Sequence, residues 1–89
     1  MKILHVTLLK KWFDAIARGE KTEEYRVIKP FWTQRLVGRH YAEIHFTNGY
    51  GGHRPFMRVE FLGLSEGEFE GQPVFVLKLG KILEIKNWS

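Results

Sequence analysis

Residues 19–26 read Gly19-Glu20-Lys21-Thr22-Glu23-Glu24-Tyr25-Arg26, directly after an amphipathic run from Leu9 to Arg18. In that run Leu9, Trp12, Phe13, Ile16 and Ala17 recur at spacings of three and four. The spacing predicts a helix with one apolar face, leaving Lys10, Lys11, Asp14, Ala15 and Arg18 on the other. Arg18 suits the negative end of the helix dipole, and Gly19 suits the left-handed position just past a helix end. Thr7 is the candidate cap at the start. The chain then changes period. From Thr22 to Ile28, alternation sets Thr22, Glu24, Arg26 and Ile28 on one strand face and Glu23, Tyr25 and Val27 on the other. Three polar groups beside one apolar residue make an odd face for a core strand. They fit a pocket wall, with a solvated surface strand as the plain alternative.

The flanking sequence is mostly strand. Met1 to Leu9 carries the β-formers Ile3, Val6 and Thr7. Pro30 opens a short helix through Val37, stopped by Gly38, with Phe31, Leu36 and Trp32 as its core-facing residues. Tyr41 to Thr47 alternates cleanly, with Ala42, Ile44 and Phe46 on one side. Asn48 to Pro55 holds three glycines and reads as a loop able to act as a lid. Phe56 to Leu64 is a strand with Met57, Val59 and Phe61 inward. Ser65 to Pro73 reads as a polar connection. Val74 to Leu79 and Lys81 to Trp88 read as one bent strand or a pair, with Gly80 at the bulge or corner. Together these predict an α+β, mainly β domain over residues 1–89: a small, partly closed β-barrel of five or six strands with two short flanking helices. The helices come early and the strands late, which argues against a parallel α/β sheet.

The chain has 89 residues, enough for one domain. At 44% hydrophobic it has the apolar content to fold, with ten Trp and Phe residues supplying much of the buried area. Cysteine is absent, which excludes disulfides and thiolate chemistry and favours a cytoplasmic setting. No signal peptide and no apolar stretch long enough for a bilayer is visible, so no membrane partner is expected. A formal net charge of +4 raises the expectation of a polyanionic partner.

The order of helix, Gly19, then Lys21-Thr22-Glu23-Glu24-Tyr25-Arg26 matches the Gly-x-Lys-x-x-Glu-x-Arg pattern of ASCH domains. The chain resembles a single-domain ASCH protein of bacterial or phage type over most of its length. That resemblance implies a PUA-like barrel with a cleft lined by the motif strand, and RNA or a modified nucleoside as ligand. Some small ASCH proteins are amidohydrolases that deacetylate N4-acetylcytidine, and others are reported as ribonucleases. The hydrolases use a Lys, a Thr and a Glu. Their Lys falls at Lys21. Their Thr falls where this chain has Glu24, with Thr22 one step along the same strand face. The candidate for their downstream Glu is Glu60.

Lys21, Glu24 and Glu60 are thus the candidate catalytic residues. Gly19, Lys21, Thr22, Glu24, Arg26, Lys29, Asn48 and Tyr50 are the candidate ligand-binding residues. Lys21 would serve as base or phosphate anchor. Glu24 would accept a nucleobase amino group while Arg26 binds phosphate, or the two would form a structural ion pair. Tyr25, Trp32 and Tyr50 are candidate stacking residues, with Trp32 the better core residue. Lys29, Arg35, Arg39, Arg54 and Arg58 would give a basic rim. The four histidines lack metal-motif spacing, so neither metal nor cofactor is expected. Asn48-Gly49-Tyr50-Gly51-Gly52 lacks the Lys-Ser/Thr ending of a phosphate loop. Neither Ser65 nor Ser89 sits in a nucleophile elbow. A monomeric binding domain is the first expectation. An amidohydrolase is the alternative, followed by a ribonuclease or a protein-interaction module.

Overall fold

The computed structural model describes residues 2–49 and 51–88. Its elements are β1 (Ile3–Leu8), α1 (Lys10–Ala17), β2 (Glu23–Val27), α2 (Pro30–Leu36), β3 (Glu43–Asn48), β4 (Phe56–Phe69) and β5 (Gln72–Lys86). The strands form one mixed sheet in the order β1-β3-β4-β5-β2. β1 and β3 run parallel, and the other pairs are antiparallel. The parallel pair arises because α1, β2 and α2 all lie in the connection between β1 and β3, long enough for a crossover. The fold is α+β and mainly β.

β4 and β5 pair from Phe56 with Lys86 up to Phe69 with Gln72. β3 uses only Phe56–Glu60 of this hairpin, and β2 uses only Val74–Lys78. The hairpin is therefore shared by two leaves, one with β1 and β3, the other with β2. Three register slips between Arg58 and Gly63 mark the corner between them. Gly80 sits at this corner, where a Cβ would collide with the Glu60 carboxylate and lie 3.1 Å from Leu62 Cδ2. Its role as a corner, read from sequence, is what the structure has, within one bent strand rather than a pair.

Other expectations need correcting. Ser65 to Pro73 is not a loose connection: Ser65–Phe69 continues β4, and the reversal takes only Glu70 and Gly71, both at positive φ (51° and 78°). That is the backbone of a tight two-residue hairpin turn, which matches strand twist. Glutamates and glycines obscured the strand because both its faces near the tip meet solvent. Thr7 does not cap α1; it lies in β1, and Leu9 holds the cap position with no side-chain bond. Phe31 is 49% exposed, so in α2 only Leu36 is fully buried. Leu9, placed on the apolar helix face, is 72% exposed.

No backbone ladder joins the outermost strands β1 and β2 among the described residues, so the sheet is not closed into a barrel. It is nevertheless strongly coiled. Flat, five strands would hold their outer members about 19 Å apart. Here Arg26 Nη2 on β2 reaches the Thr7 carbonyl on β1 at 3.2 Å. The core fills the hollow of this coil. Leu4, Val6 and Leu8 alternate inward from β1, Ile44 and Phe46 from β3, Met57 and Val59 from β4, and Phe75, Leu77 and Leu79 from β5. Phe13 and Ile16, three apart on α1, close one side, and Leu36 of α2 another.

Candidate functional site

Helix α1 delivers the motif strand through its C-terminus. Gly19 has φ +76°, its N–H bonds the Ile16 carbonyl, and the Glu20 N–H bonds the Ala15 carbonyl. This is a Schellman termination, which requires a left-handed residue at Gly19. Lys21 N also bonds Ala15 O, so the chain is held until it turns into β2. The register of β2 on β5 then sets Glu24 opposite Leu77 and Arg26 opposite Phe75. Both partners are core residues, so this face of β2 points into the hollow of the coil.

Glu24 is only 6% exposed. Its carboxylate lies 3.6 Å from Lys21 Nζ through Oε1 and accepts from Arg26 Nη2 at 2.7 Å through Oε2. A carboxylate this buried stays charged only when matched, and here two cations share it. Aromatic rings surround the group. Lys21 Nζ stands 4.5 Å from the Tyr25 ring centroid and 5.3 Å from that of Trp12. The Arg26 guanidinium lies 5.0 Å over Trp32. Such cations are held by the ring quadrupoles as well as by the carboxylate.

A cavity of about 420 Å³ opens beside this cluster, lined by Trp12, Lys21, Glu24, Tyr25, Phe69 and Gln72 together with Val27, Glu70 and Val74. Tyr25 and Phe69 stack at 5.1 Å, which makes a flat aromatic wall. The Tyr25 hydroxyl donates to Glu23 at 2.8 Å, and this bond, with burial, pushes the phenol above its ordinary value. A second hollow of about 250 Å³, between the unpaired margins of β1 and β2, shares Trp12, Glu24 and Tyr25 and adds Thr7 and Arg26.

The structure thus brings together Lys21, Glu24 and Arg26. The other candidates are dispersed. Gly19 and Thr22 are exposed and line neither hollow. Lys29 is exposed at the start of α2. Asn48 donates from Nδ2 to the Leu8 carbonyl, tying the ends of β3 and β1 together. Glu60 accepts from the Lys81 N–H at the sheet corner and lines neither hollow. Tyr50 lies outside the described residues.

Trp12, Phe69 and Gln72 are cavity residues that sequence reasoning did not assign there. Trp12 sat on a helix face read as core, and Phe69 in a stretch read as a loop. A second polar cluster was also missed. Glu43, 9% exposed, accepts from Arg58 Nη1 at 2.9 and 3.0 Å and lies 3.0 Å from His45 Nε2. Arg58 Nε also donates to Glu84 at 2.9 Å. The His45 ring, then the Arg58 guanidinium, hold the Glu43 carboxyl below its ordinary value. Alternation placed Glu43 and His45 on one face, but their partners come from two other strands. No group of three or more potential metal ligands occurs among the described residues, and no helix there is long and apolar enough to cross a membrane.

Comparison with protein families, curated proteins and solved structures gives no match.

Proposed function

We propose that this chain is an ASCH-like domain with a half-open, PUA-like barrel that binds the base of a nucleoside in the cavity beside Lys21, Glu24 and Arg26. One observation carries the reading: Lys21 and Glu24, two members of a Lys-Glu-Arg cluster, form a polar end to a cavity whose remaining walls include the rings of Trp12, Tyr25 and Phe69. Its volume falls within the roughly 300–1,000 Å³ of small-molecule sites, and a few convergent polar groups on an apolar wall is their usual make-up. Trp12 and Phe69 offer rings to a planar guest, and Tyr25, stacked on Phe69 with Lys21 over its ring, backs them. Lys21, Glu24 and Gln72 offer both donors and acceptors to its edge.

The charges favour an uncharged guest. The wall holds one cation, Lys21, against two carboxylates, Glu24 and Glu70. Arg26 is already engaged by Glu24 and Thr7. A phosphate brought here would meet repulsion before attraction. Nucleosides should therefore bind better than their 5′-monophosphates, and better than short RNAs at moderate salt. Calorimetric titration with cytidine, N4-acetylcytidine, cytidine 5′-monophosphate and a short single-stranded RNA tests this. If a Lys21→Ala, Trp12→Ala variant that stays folded binds all four as the parent protein does, the site lies elsewhere. RNA binding that outlasts moderate salt while nucleosides fail would return the basic surface, with its net charge of +4, to first place.

A second reading is amide hydrolysis of N4-acetylcytidine. Its support is the Lys21–Glu24 ion pair, which sets an ammonium and a carboxylate 3.6 Å apart on the cavity wall as an acid and a base for the guest. Water would add to the acetyl carbonyl and the C–N bond would break, giving cytidine and acetate, with the pair taking the proton from water and returning it to the departing amine. Incubation followed by chromatography for cytidine decides the matter: no turnover above background by folded protein removes this substrate.

A further inference from the structure

Beyond Glu60, β4 has a strand partner on one side only. β5 pairs with it to Phe69, whereas β3 stops at Glu60 and the Ala42 carbonyl takes the Phe61 N–H, leaving the margin from Leu62 to Phe69 without a strand among the described residues. A free strand margin offers unpaired N–H and C=O groups to another chain. Next to its start lies a groove of about 350 Å³, lined by Leu36, Tyr41, Phe61, Leu62, Leu64 and Arg39 among others. Leu62 is 56% exposed and Leu64 36% exposed. Further along, Glu66 and Glu68 are exposed and have no ion-pair partner among the described residues. The β5 register sets Leu64, Glu66 and Glu68 opposite Leu77, Phe75 and Pro73, so the three share one face.

We propose that this margin receives an extended segment of another protein, which adds as a strand beside β4. Its side chains on the matching face are one apolar residue against Leu64, then two basic residues, two apart, against Glu66 and Glu68. Backbone bonds supply affinity and the alternate side chains supply selectivity, as in other strand-addition complexes. Directly opposed Lys or Arg and Glu pairs favour the match, and like charges oppose it. The charge pattern argues against a second copy of this chain as the occupant. An antiparallel copy covering residues 62–68 with its own 62–68 would set Leu64 against Glu66 and Leu62 against Glu68. That register leaves carboxylates facing leucines.

The test uses the whole chain and two labelled synthetic peptides of about ten residues, alternating Val and Thr. One carries Lys at two successive alternate positions after an apolar anchor; the other carries Glu there. Anisotropy titration is expected to show the Lys peptide binding roughly tenfold more tightly, and the doubly reversed variant Glu66→Lys, Glu68→Lys to invert that preference. Hydrogen exchange is expected to slow at the amides of residues 62–68 with the Lys peptide bound. Equal binding of both peptides, no binding of either at millimolar concentration, or protection confined to another region would overturn the proposal. So would protection of residues 62–68 that grows with protein concentration alone, which would make a second copy the occupant.

Discussion

Arg26 donates through one nitrogen, Nη2, both to the Thr7 carbonyl at 3.2 Å and to the Glu24 carboxylate at 2.7 Å. Thr7 belongs to one outermost strand and Arg26 to the other. A single guanidinium thus draws the two margins of the coiled sheet together and matches its most buried acid. Replacing Arg26 with Met leaves Glu24 with Lys21 alone at 3.6 Å. The expected loss is about 2–3 kcal/mol, read as a lower urea midpoint with an unchanged slope. Arg26→Lys should recover less than half of it, because a shorter ammonium gives up the guanidinium plane that lies over Trp32. Full recovery by Lys would mean that charge alone matters here.

Neutralising Glu24 should change which guest the cavity prefers. Glu24→Gln leaves Lys21 and Arg26 without their shared counter-charge. Affinity for cytidine 5′-monophosphate is expected to rise roughly tenfold relative to cytidine. Paired calorimetric titrations of parent and variant measure the ratio directly. An unchanged ratio would place the guest away from Glu24.

Acid should loosen the fold from the outer face of the sheet. Glu43 is held below its ordinary 4.5 by His45 and Arg58, and Glu84 by Arg58. Asp14, bonded to Lys10 and to the Trp88 indole, is held below 3.8. A depressed carboxyl adds stability that is fully present above its unfolded value and is lost as pH falls through its folded one. The melting temperature should therefore stay level near neutrality and drop as pH passes below about 4.5. In Glu43→Gln it should start lower and fall less. A parallel decline in parent and variant would remove Glu43 from the account.

The sheet corner offers a paired test. Gly80→Ala forces the Glu60 carboxylate aside and presses on Leu62. The cost is expected to be about 1–2 kcal/mol by chemical denaturation. Because the first obstacle is the end of a flexible side chain, Glu60→Ala in the same chain should restore much of that loss. No restoration would mean that the backbone, not Glu60, resists the added methyl.

Helix periodicity around Phe13 and Ile16, the left-handed stop at Gly19 and the inward alternation of Ile44 and Phe46 were legible in the sequence because each is a local pattern. The convergence of Lys21, Glu24 and Arg26 was legible for the same reason: all three lie within six positions, at the end of one helix and along one strand. Long-range pairing was not. Nothing local tells β1 to run parallel beside β3, or the Glu-rich run from Ser65 to Phe69 to continue a strand. There the backbone pairing of a two-residue hairpin overrode a solvated composition. Trp12 and Phe69 lie 57 positions apart in the chain, and only the fold makes them walls of one cavity. Arg58 read as part of a basic rim and Glu43 as the polar side of a strand, until three strands set Arg58 between Glu43 and Glu84.

Because both leaves borrow the same hairpin, neither owns a separable core. Fraying β2 exposes the β5 residues that back Leu64, and lifting β3 away uncovers the stretch of β4 that anchors the corner. Such a molecule has no half that can melt while the other waits. Its unfolding should be one cooperative event, with central amides of β3, β4 and β5 exchanging at a common rate set by global opening.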